Sequence, residues 1–252
     1  KKNSNKNILI FSIICGLSLL IRGEFIIIFI FTLIYMLAFK KANSINLLKI
    51  LIISMIIVLP YLIRNYIHFE KIHIVNVKGF ALWKGNNQSL KIEGFEKINQ
   101  FDDIKIKLEN IPYDNFYETK RDKIFFDAAI TNITENPLMY LSLYFKKIFS
   151  FYFFDINSTY KNYYNYFHIM PVALISFLSL HGLILFLKTK NFHKRYLLIY
   201  LILNILIFSI FFILPRYKLA ILPIQIILSS FSINYLLDKF IFSKKKNLDK
   251  IL

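Results

Sequence analysis

Two cations interrupt the apolar run "FSIFFILPRYKLAILPIQIILSSF": Arg216 and Lys218, with Tyr217 between them and Pro215 before them. A charge at the centre of a bilayer costs about 3 kcal/mol on insertion scales, so the position asks for a reason. Two more cations, Arg22 in "LIRGEF" and Arg64 in "LIRNY", also close apolar runs. Arg presents a planar fork to two oxygens of an anion, and Lys adds a point charge, so the four together suit a phosphate. The plainer alternative is that each snorkels to lipid headgroups. A second group lies in "ALWKGNN", where the single tryptophan, Trp83, stands beside Gly85, Asn86 and Asn87. Gly permits close backbone approach, and Asn amides both donate to and accept from a hydroxyl-rich ligand. The alternative here is a Gly-Asn turn next to an interfacial Trp. Among carboxylates that could take a proton, Glu24 sits beside Arg22, with which it could simply pair. Asp102 and Asp103 are adjacent in a charged stretch, and Asp155 follows an aromatic run.

Other chemistries find little support. Cys15 is the single cysteine and lies in an apolar block, which leaves neither a disulfide framework nor a cysteine metal site. His68, His73, His168, His181 and His193 are scattered. The five-residue spacing of "HFEKIH" around Glu70 fits no zinc pattern on a helix face. No phosphate-cradling Gly-rich loop occurs.

The elements that must position these residues are read from the apolar blocks. The chain has 252 residues, 56% of them hydrophobic, with a mean hydropathy of +0.51. The apolar residues fall in Ile8–Ile21, Phe25–Phe39, Leu47–Ile63, Phe167–Leu187, Tyr196–Leu214 and Leu219–Leu237. A spanning helix needs about 20 apolar residues. The last four blocks approach that, and the first two form a short hairpin bent at "RGE". No strand alternation suggests a barrel. The fold class expected is therefore an all-α polytopic membrane protein of about six membrane helices, with an irregular, mainly helical extracytoplasmic segment.

The net charge of +17 follows the same division. Residues 65–165 carry 13 Lys and Arg against 12 Asp and Glu, so the excess belongs to the membrane part. There it clusters in "KKNSNK", "KKANSINLLK", "KTKNFHKR" and "KFIFSKKKNLDK", short flanks that mark the cytoplasmic side. This makes a nucleic-acid patch a poor reading. Residues 1–64 then hold the hairpin and one span, 65–165 lie outside, 166–238 hold three spans, and 239–252 form a basic cytoplasmic tail. Arg22, Arg64, Arg216 and Lys218 all fall at the outer boundary. Within the outer segment, "HIVNV" is strand-like, a helix is expected over Lys120–Thr134, and "NP" at Asn136–Pro137 breaks it. An aromatic amphipathic helix over 138–154, carrying Lys146 and Lys147, is expected on the membrane surface. Asn87, Asn132 and Asn157 begin Asn-X-Ser/Thr triplets, and the Lys/Asn/Ile/Phe bias points to an AT-rich bacterial genome.

"GLSLLIRGEFIII", "LPYLIRNYIHF", "FALWKGNN", "ITENPLMYLSLYFKKIFSF" and "PRYKLAILPIQIIL" occur in that order. Together they resemble the later portion of polyprenyl-phosphate-dependent glycosyltransferases of the GT-C fold, the group of the protein mannosyltransferases and aminoarabinose transferases. The resemblance covers most of the chain through short, degenerate motifs. Lys218 takes the second basic position of the last motif, and Ala220 replaces its first proline.

The resemblance implies a membrane transferase that moves a sugar from a polyprenyl-phosphate donor to a lipid, glycan or protein acceptor, usually with inversion. It implies Arg216, Lys218 and Tyr217 at the donor phosphate, with Arg22 or Arg64 helping. Trp83, Gly85, Asn86 and Asn87 would lie near the sugar or acceptor. It leaves a divalent metal open and assigns no metal ligand. The family's key acids usually lie in the first outer loop, and this chain opens on Lys1 in a block resembling a later span. An N-terminally truncated portion is therefore expected, with Glu24 the nearest substitute base. The setting implied is a bacterial inner (plasma) membrane, with the site facing the periplasm or exterior. The alternative is a non-enzymatic polytopic protein such as a lipid-linked glycan transporter. A transporter would show internal repeats or interrupted helices, and the sequence shows neither.

Overall fold

A computed structural model describes residues 4–74, 77–94, 97–155, 158, 165–187 and 191–248, the last eight by their backbone only. No strand occurs among the described residues, and six of the ten α-helices described follow the apolar blocks. The ten are α1 (Ser4–Ile21), α2 (Phe25–Ala38), α3 (Ser44–Phe69), α4 (Lys78–Gly85), α5 (Asp102–Glu109), α6 (Tyr117–Glu135), α7 (Pro137–Tyr152), α8 (Tyr166–Leu187), α9 (Phe192–Ile210) and α10 (Leu222–Leu248). Short 3-10 turns cover Ile98–Gln100 and Pro215–Ala220. Three helices, α3, α8 and α9, are long and apolar enough to cross a membrane, while α1 and α2 are shorter apolar helices. Only 22% of the apolar window of α3 and of α8, and 39% of that of α9, is buried inside the protein. Apolar surface left open on that scale needs a partner or lipid to cover it.

The chain divides into two compact units, Lys1–Ser89 with Phe95–Pro137, and Leu90–Gly94 with Leu138–Leu252. In the first, α1 and α2 form the expected hairpin, separated by Arg22–Glu24, and α1 packs on α3. The Ser54 hydroxyl donates to the Ser12 carbonyl at 2.9 Å. A Cβ at Gly16 would stand 2.9 Å from Ile57 Cβ and 3.0 Å from the Ser54 carbonyl oxygen. Small residues let membrane helices approach this closely. These contacts advance together along both helices, so α1 and α3 run in the same direction.

Helix α3 is longer than its apolar block. It continues through Pro60 and ends at Glu70, which adopts a left-handed φ of 53° and donates its N–H to Tyr66. Pro60 lies inside the helix; its missing N–H is tolerated in membrane helices, where neighbouring groups re-satisfy the backbone. Beyond α3, Val75 and Asn76 of the strand-like run lie outside the described residues. The chain resumes as α4, an eight-residue helix held by α6. The Asp122 carboxylate accepts from the Gly79 N–H at 3.0 Å and the Phe80 N–H at 2.9 Å. A Cβ at Gly79 would lie 2.0 Å from the Asp122 carbonyl oxygen, so only glycine fits there. Helix α6 closes at Asn136 and α7 opens at Pro137, because the residue before proline is pushed out of helical geometry.

In the second unit, α8 and α10 approach most closely at Gly182, whose Cβ would lie 2.0 Å from the Leu228 carbonyl oxygen. The Ser229 hydroxyl donates to the Ile175 carbonyl at 2.9 Å, and His181 Nδ1 pairs with the Ser232 hydroxyl at 2.7 Å. The core gathers Phe151, Leu201, Ile221 and Leu228, all fully buried. The segment Leu90–Gly94 joins it through Ile92, whose carbonyl accepts the Ile213 N–H at 2.9 Å. Helix α7 forms close to the expected bounds, and its exposed face is apolar. Leu138, Leu141, Phe145 and Phe149 are exposed, whereas Tyr140, Leu143, Lys147 and Phe151 are buried.

Candidate functional site

The "PRYKLA" stretch forms the 3-10 turn between α9 and α10: α9 ends at Ile210, Pro215 opens the turn, and α10 begins at Leu222, not Leu219. Three consecutive residues thereby point to different surroundings. Arg216 is exposed, with its guanidinium 5.6 Å from the Tyr217 ring centroid. Tyr217 is half-buried against Phe208 and Phe212, at 5.8 Å each. The Lys218 Nζ is buried and makes no hydrogen bond among the described residues. Burial pushes its pKa down to about 7, opposed in part by the Asp155 carboxylate. An ammonium stripped of water without a partner is costly, and such a group marks a place for an anion.

Lys218 lines a cavity of about 160 Å³ whose other walls include Phe154, Val172, Ile175, Leu222 and Gln225. His168 stands at the same cavity. The starts of α8 and α10 and the turn after α9 thus meet at one end of the unit. The Gln225 amide is not turned to the cavity for lack of a partner: it donates to the Tyr152 carbonyl at 3.0 Å, which also accepts the Ser176 hydroxyl. Phe154 is also a wall of a second, larger groove of about 740 Å³. That groove is lined by Leu141, Phe145 and Phe149 of α7, with Lys146 and Asp155 at polar positions. A buried cation beside a long apolar groove is a chemical pattern for an amphiphilic anion. Lys147, on the other face of α7, is fully buried, and burial pushes its pKa down to about 7 as well.

The remaining residues singled out by the sequence belong to the first unit. Arg22 and Glu24 flank the α1–α2 corner; Glu24 is half-buried and forms no ion pair among the described residues. Arg64, exposed near the end of α3, donates to the Asn65 side chain at 3.2 Å. Asn65 in turn donates to the His73 carbonyl at 2.7 Å. Trp83, Gly85, Asn86 and Asn87 come together at the end of α4 and are all buried. The two asparagines fasten that end: Asn86 donates to the Leu82 carbonyl at 2.8 Å and Asn87 to the Lys84 carbonyl at 3.2 Å. The Asn87 side-chain Oδ1 also accepts the Ser89 N–H at 2.9 Å. Trp83 packs with Phe80, Phe101 and Phe125 at centroid distances of 6.2, 5.2 and 4.9 Å. Of the Asn-X-Ser/Thr triplets, the one at Asn157 lies outside the described residues, and the Asn132 amide donates to the Asn86 carbonyl at 3.1 Å.

Sequence reasoning missed Phe154, His168 and Gln225 as neighbours of Lys218. Gln225 gave a signal, a lone amide in "LAILPIQIIL"; the other two gave none. Compared with protein-family models, curated proteins and solved structures, the chain matches none of them.

Proposed function

We propose that the protein is a membrane glycosyltransferase that takes a sugar from a polyprenyl-phosphate donor at the outer face of a bacterial inner membrane. The observation that carries this reading is the buried ammonium of Lys218, without a hydrogen-bond partner among the described residues, at an apolar cavity adjoining the α7 groove. Lys218 holds the donor phosphate, Arg216 reaches it from the exposed side of the turn, and the apolar walls take the first prenyl units. Helices α1, α2 and α10 join α3, α8 and α9 as six membrane segments, with the basic flanks in the cytoplasm.

In the transfer, an acceptor hydroxyl or amine attacks the anomeric carbon. The bond from that carbon to the phosphate oxygen breaks, and its electron pair stays on the phosphate. The phosphate gains negative charge as the bond breaks, and a cation already in place stabilises that charge more than it stabilises the donor. The acceptor's proton goes to a carboxylate. Within this unit the carboxylate in electrostatic reach of Lys218 is the buried Asp155; Glu24 stands at the α1–α2 corner of the other unit.

The test is binding of a short polyprenyl-phosphate sugar to the protein in lipid nanodiscs, with native and Lys218→Met proteins. A hydrogen bond to a charged group contributes about 1.5–3 kcal/mol, so Met is expected to weaken binding about tenfold to a hundredfold. Equal affinity for the two proteins would remove Lys218 from the donor site and with it this reading.

A further inference from the structure

The first unit contains a cleft that the donor reading does not use. Its volume is about 470 Å³, within the range of small-ligand sites. Helices α5 and α6 face one another across it, with the end of α4 as its floor. Asp102 and Asp103 come from the first turn of α5, and Asp127 and Glu135 from α6; Lys107 is the one cation on its walls. None of these four carboxylates forms an ion pair among the described residues; the three ion pairs there join Lys105 to Glu109, Lys120 to Asp114 and Arg121 to Glu118.

Acidic residues on a solvated face would explain themselves, but Trp83 does not. It lines the same cleft, is fully buried, and its indole Nε1 has no acceptor among the described residues. Its surroundings are the rings of Phe80, Phe101 and Phe125. A buried indole N–H ordinarily finds a partner, and leaving one unmet is costly. The cleft therefore lacks both an acceptor for one N–H and positive charge for four carboxylates. A metal ion would bring charge but no acceptor, and among the described residues no three His, Cys, Asp or Glu converge to hold one. Charge spread along a cleft suits an extended organic cation.

We infer that this cleft binds a small ligand carrying an ammonium group and a neutral oxygen acceptor, with the ammonium among Asp102, Asp103, Asp127 and Glu135 and the oxygen at the Trp83 N–H. The site stands whether or not the transferase reading holds.

Trp83 is the single tryptophan of the chain, so its emission reports on the cleft directly. The probe is N-acetyl-lysinamide, which has one ammonium and two amide oxygens, titrated into the full chain in nanodiscs. The control is N-acetyl-norleucinamide, which keeps the amides and lacks the ammonium. Calorimetry is expected to detect the lysine probe only, with a shift in Trp83 emission and weakening as salt is added. Asp102→Asn with Asp127→Asn is expected to weaken binding at least tenfold. No heat with the lysine probe, equal binding of the neutral analogue, or unchanged affinity in the doubly substituted protein would each overturn the assignment. The analogue comparison uses the native protein, so it decides even if the variants fold poorly.

Discussion

If Lys218 holds a donor phosphate as proposed, binding must depend on pH. Its pKa, ordinarily 10.5, is pushed down to about 7 by burial, and Asp155 opposes the shift only in part. Without ligand, the ammonium is therefore largely charged at pH 6 and largely neutral at pH 9. The sugar-bearing phosphate is a diester with a single fixed charge, so the donor itself does not titrate over that interval. Bound donor favours the charged lysine, and above pH 7 binding must take up a proton. Affinity is then expected to fall about tenfold per pH unit above 7, or about a hundredfold between pH 7 and 9. The other groups about the turn are Arg216, Tyr217 and the cavity residue His168. The assay is calorimetry from pH 6 to 9 in two buffers of different ionisation heat, which counts the proton taken up. Lys218→Arg, charged throughout, should abolish the fall, and His168→Gln should keep it. A flat profile in the native protein, or the same fall in Lys218→Arg, would refute the reasoning.

The same depression has a consequence for stability. The unfolded chain binds more protons than the folded one between pH 7 and 10.5, so the ligand-free protein gains stability as pH rises through that window; chemical denaturation at pH 7 and 9 measures it, and the gain should shrink in Lys218→Met. At the α8–α10 contact, Gly182→Ala would place a Cβ 2.0 Å from the Leu228 carbonyl oxygen, and such overpacking costs about 1–3 kcal/mol or more; an unchanged melting temperature would contradict the contact. Removing the carboxylate that holds α4, by Asp122→Ala, leaves the Gly79 and Phe80 N–H groups without it. We expect a loss of about 1.5–3 kcal/mol, with faster amide exchange confined to α4 and its neighbours; exchange unaltered at Gly79 and Phe80 would count against it.

Much of the helical plan was legible because hydrocarbon leaves so few backbone options. The blocks Phe25–Phe39 and Phe167–Leu187 became helices within a residue of their bounds, and Asn136–Pro137 broke the chain where proline chemistry says it must. Boundaries failed where polar residues carry helix onward or a turn interrupts it. Helix α3 runs on to Phe69 through residues no longer apolar, and the 3-10 turn at Pro215–Ala220 delays α10. Helix α4 was illegible because its first turn is held by Asp122, more than forty residues away in sequence. The same holds at the site. "PRYKLA" advertised its cations, but which of them loses water depends on the α8 and α10 ends and on Phe154. In "ALWKGNN" the residue types invited a ligand, yet Asn86 and Asn87 are spent on fastening the helix end. Among the described residues the Trp83 N–H is left without a partner, with Phe101 and Phe125 packed against the ring.

The most direct measurement is photocrosslinking with a polyprenyl-phosphate sugar bearing a diazirine on its second prenyl unit, followed by peptide mapping in native membranes. Adducts should fall on Phe154, on Val172 or Ile175 of α8, and on Leu222, and unlabelled donor should compete them away. Labelling spread over the lipid-exposed faces of α3 and α9, or adducts on these residues that donor cannot displace, would contradict a donor site at Lys218.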